Sequence, residues 1–156
     1  MKSEKIKSLL TSFLWLSLIL MIATLVVGSI VSICEIIGGK ATLNFLLKKV
    51  YIAVVLLGYS FAIYILLRLA DNFKENPFIQ SNVKHFNTIG YIFFIEAIIE
   101  VAYSSIFNPD HGLIQILGLN ITIGLVTLVI ISLTFFLIAD IFGKAIKIKE
   151  YNDLTI

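Results

Sequence analysis

Over residues 9–33 the chain runs for 25 residues without a charged side chain. The hydrocarbon core of a bilayer takes about 20 apolar helical residues to cross. No water reaches backbone N–H and C=O groups there, so they must bond within their own segment, which selects the helix. A signal peptide has a shorter apolar core of about 7–15 residues, so this run reads as a retained span, TM1 9–33. Three further apolar runs follow: TM2 50–70, TM3 88–107 and TM4 121–142. The expected fold is all-α, an integral membrane four-helix bundle forming one transmembrane domain.

Composition narrows the function classes. The 156 residues are 59% hydrophobic and 14% charged, against about 45–50% apolar and about 25% charged in a soluble domain. A net charge of +2 is too small for direct nucleic-acid binding, which needs a row of cations against phosphates. Cys34 is the single cysteine, and neither His85 nor His111 sits in a metal-ligand spacing, so no metal or cofactor is expected. The sequence has no GxSxG, HExxH or P-loop, and no catalytic residue is assigned. A non-enzymatic membrane protein is the expectation.

TM3 breaks its own apolar pattern with Glu96 and Glu100. Residues four apart share one helix face. A charge at bilayer depth is costly and faces protein or a watery cavity, and two carboxylates one turn apart in low dielectric are not both ionised. Three uses remain open. The acids are hydrogen-bonded structural groups, with Tyr59, Tyr64, Ser29, Thr127 or Ser132 as donors; or they form a cation or proton site; or they are the input of a sensor that moves TM3. Lys48 and Lys49, before TM2, are placed to snorkel toward Glu100.

The polar stretches set the rest. Thr24, Gly28 and Ser32 form a small-residue stripe expected to pack helices closely. Asn76-Pro77 is a helix-start signal, with an N-cap candidate and proline at the first helical position. Phe78, Ile79, Val83 and Phe86 then recur at helical spacing between polar residues, so 77–87 reads as an amphipathic interfacial helix before TM3. The short apolar stretch 113–120 reads as interfacial, and 143–156 as a tail. With four spans, one side holds Lys2, Lys5, Lys7, Arg68, Lys74, Lys84, Lys144, Lys147 and Lys149, and the other Lys40, Lys48 and Lys49. Nine basic residues against three place both termini in the cytoplasm of a cell membrane. Arg68 and Asp140, ending TM2 and TM4 on that side, are expected to form a structural pair.

Two stretches carry a family resemblance. Glu75-Asn76-Pro77-Phe78, then Asn82-Val83-Lys84 and Ile89-Gly90, resembles the "ENPF…NVK…IG" segment of the bacterial DUF2975 family. Ala139-Asp140-Ile141-Phe142, Gly143 and 149–156 resemble that family's closing "AEIF…G…EN(D/E)LTV", with Asp140 where Glu is usual and Tyr151 interrupting the Glu-Asn step. The resemblance implies a small four-helix bacterial membrane protein of unknown activity. It also implies, as a partner, a cytoplasmic helix-turn-helix regulator. Asn76, Pro77, Phe78, Asn152, Asp153 and Leu154 are then the candidate cytoplasmic contacts. The expected function is a membrane sensor or regulatory partner; the alternatives are an ion- or solute-translocating homo-oligomer using Glu96 and Glu100, and a passive structural or immunity-type protein.

Overall fold

The structure is a computed structural model that describes residues 2–39, 42–75, 77–107 and 112–153. It contains α1 (Lys2–Ile37), α2 (Leu43–Glu75), α3 (Gln80–Phe107), a hairpin of β1 (Ile114–Ile116) and β2 (Leu119–Ile121), and α4 (Ile123–Asp153). All four helices are long and apolar enough to cross a membrane. Even α3, with 28 residues, is about 42 Å long at about 1.5 Å per residue, more than the core of about 30 Å. The chain divides into two units, Met1–Leu67 and Arg68–Ile156, with α2 running through the division.

In the first unit α1 ends in a glycine cap. Gly38 N donates to Cys34 O, and Gly39 takes φ 74°, a left-handed conformation that glycine adopts without a Cβ penalty. Thr42 then caps α2: its Oγ1 accepts from Phe45 N at 3.2 Å. Beside this connection Glu35 and Lys49 form an ion pair at 3.3 Å, and the Lys49 ammonium lies 5.0 Å from the Phe45 ring centre. Lys49 is therefore engaged with Glu35, where the sequence reading aimed it at Glu100.

The small-residue stripe of α1 does not make the expected close packing. A Cβ on Gly28 would meet nothing within 4 Å. Thr24 and Ser32 turn their hydroxyls back to Leu20 O and Gly28 O. The stripe instead borders an open apolar gap, with Leu46, Val50 and Ala53 of α2 on its far side. Small size permits close approach; it does not supply a partner.

The second unit is built on an antiparallel pair, α3 against α4. Gly90 lets them touch: its Cβ would sit 2.7 Å from Phe136 Cε1, and Ser132 Oγ donates to Gly90 O at 2.8 Å. Ile89 and Ser132 are fully buried. Three expectations are corrected here. The lead-in and TM3 are one unbroken helix, which begins at Gln80 rather than Pro77; the first backbone acceptor is Ile79 O, bonded by Asn82 N. Its first turns bury Asn82, Val83 and Phe86 and expose Gln80, Ser81 and Lys84. Second, 113–120 contributes a β-hairpin, because Leu117 (φ 52°) and Gly118 (φ 81°) supply two consecutive left-handed residues, the requirement of a tight hairpin turn. Third, α4 runs on through 143–153, where good helix formers follow Gly143 and no proline stops them.

Candidate functional site

Glu96 and Glu100 share a helix face, and the fold treats them differently. Glu100 accepts a hydrogen bond from Thr122 Oγ1 at 3.0 Å. Thr122 also caps α4, its Oγ1 accepting from Leu125 N at 3.0 Å. Glu100 thus sits at the N-terminus of α4, where the helix dipole favours a carboxylate. Gly124 leaves room for it: a Cβ there would lie 3.3 Å from Glu100 Oε1.

Glu96, one turn deeper, is 3% exposed, and neither carboxylate oxygen has a hydrogen-bond partner among the described residues. Three of the five donors expected for the pair bond backbone carbonyls instead: Ser29 with Leu25 O, Thr127 with Ile123 O and Ser132 with Gly90 O. Thr122 was not among the expected donors, although a threonine directly before a long apolar run is a cap signal. An unpaired polar group buried in protein costs about 1–3 kcal/mol, so Glu96 is a group the fold tolerates and does not itself satisfy.

At the other end of α3, the two stretches of the family resemblance come together. Asn82 is wholly buried. Its Oδ1 accepts from Asn72 Nδ2 of α2 at 2.8 Å, and its Nδ2 donates to Pro77 O at 2.9 Å. One side chain ties the end of α2 and the proline turn to α3. Phe142 of the closing stretch meets Phe78 at 5.8 Å between ring centres, Phe86 at 5.2 Å and Phe73 at 5.7 Å. Phe86 also meets Phe73 and Phe135, and Gly143 lies against Val83. Asn82 carried no functional reading in the sequence beyond its place in the resemblance, because nothing local shows that a polar residue is buried.

The remaining candidates separate. Asp140 bonds Lys144 one turn along α4, Oδ2 to Nζ 2.6 Å, with both side chains exposed. It forms no pair with Arg68: its outward face of α4 offers a nearer partner within the same helix. Phe78 is 43% exposed despite its ring contact, and Asn152 is exposed on the last turn of α4. Asp153 ends that helix. Asn76 and Leu154 lie outside the described residues. Among the described residues no group of three or more His, Cys, Asp or Glu is placed to hold a metal.

No curated protein and no solved structure matches this chain. A family model described as "Protein of unknown function (DUF2975)" matches residues 8–156, nearly the whole chain, and with the signature stretches folded into one cluster, the protein belongs to that family.

Proposed function

We propose that this chain is a non-enzymatic protein of the bacterial cell membrane that passes a signal to a cytoplasmic partner, both termini facing the cytoplasm. The partner class suggested by the resemblance is a helix-turn-helix regulator. One observation carries the reading. Segments about sixty residues apart in sequence meet at one end of the α3–α4 pair, and exposed side chains project there: Phe78 from the proline turn, Ile148 and Tyr151 from the last turns of α4. Exposed apolar groups beyond the spans, beside Lys147 and Lys149, are suited to protein contact. Purification of the full chain from its own cells is expected to bring down a helix-turn-helix protein. Ile148→Glu with Tyr151→Glu is expected to lose it while leaving the melting temperature unchanged. Capture of no such protein by the wild type sinks the reading.

A second reading, an oligomer that moves protons or cations, is favoured by Glu96 alone, since intramembrane acids without protein partners mark ion pathways. It expects proteoliposome flux that Glu96→Gln abolishes. Equal flux from the variant removes it.

A further inference from the structure

Between the first turns of α3 and the last turns of α4 lies an open groove of about 520 Å³. Its floor is apolar, formed by Val83, Phe136 and Ala139; its walls are Gln80 and Asn87 of α3 and Lys147 and Glu150 of α4. Asp140 and Lys144, also on the wall, neutralise each other through their ion pair. Lys147 and Glu150 form no ion pair, and the amides of Gln80 and Asn87 form no side-chain hydrogen bond, among the described residues. Among the described residues the groove therefore offers one unpaired cation and one unpaired anion a turn apart, two amides without side-chain hydrogen bonds, and an apolar floor. On α4 it straddles the change from an uncharged run, 123–139, to a charged one, 140–150, where a spanning helix leaves the hydrocarbon. Basic pockets between spanning helices at this level bind anionic headgroups; here Glu150 balances Lys147.

The charge pattern selects among lipids. An anionic headgroup such as phosphatidylglycerol would gain Lys147 and be repelled by Glu150. A choline headgroup has a cation without N–H donors, so it cannot hydrogen-bond the carboxylate. An ethanolamine headgroup has a phosphate for Lys147 and three N–H donors for Glu150 and the Asn87 and Gln80 carbonyls. We propose that this groove binds a zwitterionic aminophospholipid, phosphate on Lys147, ammonium on Glu150, and upper acyl chain on Phe136 and Val83.

The full chain is placed in nanodiscs of equal parts phosphatidylethanolamine, phosphatidylcholine and phosphatidylglycerol, and the lipids retained on release are counted by native mass spectrometry. Wild type is expected to retain phosphatidylethanolamine about fivefold over either other lipid, as one surface charge contact allows. Lys147→Ala is expected to lower that retention about fivefold, with Lys147→Arg restoring it. Glu150→Gln is expected to bring phosphatidylethanolamine down to the level of phosphatidylcholine. Both positions are exposed, so unchanged melting temperatures accompany these results. Equal retention of phosphatidylglycerol by the wild type, or an ethanolamine preference that survives Glu150→Gln, overturns the assignment.

Discussion

Gly28 and Gly90 each lie inside a long apolar helix, and the protein uses them in opposite ways. Around Gly28 the sequence repeats small residues at helical spacing, yet a Cβ there would touch nothing. Around Gly90 there is no such stripe, yet a Cβ there would drive into the Phe136 ring. The difference lies in what faces the glycine. Across from Gly90 stand an aromatic side chain and Ser132, which bonds the glycine's own carbonyl. Across from Gly28 is an open gap, and the neighbouring hydroxyls bond their own helix. The 18-residue hydrophobic window of α1 is 6% buried and that of α3 33%.

That contrast can be broken or sharpened by paired substitutions followed by thermal unfolding in detergent. The largest effect is expected in the aromatic cluster. Phe86→Ala, at a residue 7% exposed, should cost about 3 kcal/mol or more. Phe13→Ala on α1, 63% exposed, should change stability by less than about 0.5 kcal/mol. Next come the two glycines. Gly90→Ala should cost about 2 kcal/mol through overpacking against Phe136, whereas Gly28→Ala should be neutral or stabilising by up to about 1 kcal/mol, since alanine is the better helix former. Equal losses at both positions would mean that α1 is packed after all. The smallest pair is polar. Asn82→Ala strips the partner from Asn72 and from Pro77 O and should cost about 1–2 kcal/mol. Thr24→Val removes only a bond within α1's own backbone and should leave the transition where it is.

The polar signature residues raise a related point. The stretches that resemble the family suggest a contact surface, yet several of their described residues have packing roles. Asn82 joins three segments, Ile89 and Ala139 are buried, Gly90 admits Phe136, and Phe78 and Phe142 meet. Such a signature describes first how the end of α2 fits α3 and α4. The surface available to a partner is the remainder: the outer edge of Phe78 and the exposed face of α4 past Gly143. The acid pair divides in the same way. Glu100 has a structural role, closing the start of α4 through Thr122, and Glu96 is left buried without a hydrogen-bond partner among the described residues.

Four long apolar helices and a largely α-helical chain were readable from the order of residues. They follow from transfer free energy and from the need of a backbone in lipid to bond itself. Which face of each helix meets protein was not readable, because helices that are apolar on every side have no pattern that points inward. Nor was the start of α3, the hairpin at 114–121, or the choice of Lys144 over Arg68 by Asp140. The first two depend on partners brought near by packing, Asn82 for the Pro77 carbonyl and Ser104 and Ser105 for the backbone of Asn120; the third is a local i,i+4 pair whose choice rests on the outward face of Asp140. Local chemistry chose the helices, and the tertiary contacts of α3 with α4 decided which of their small and polar residues matter.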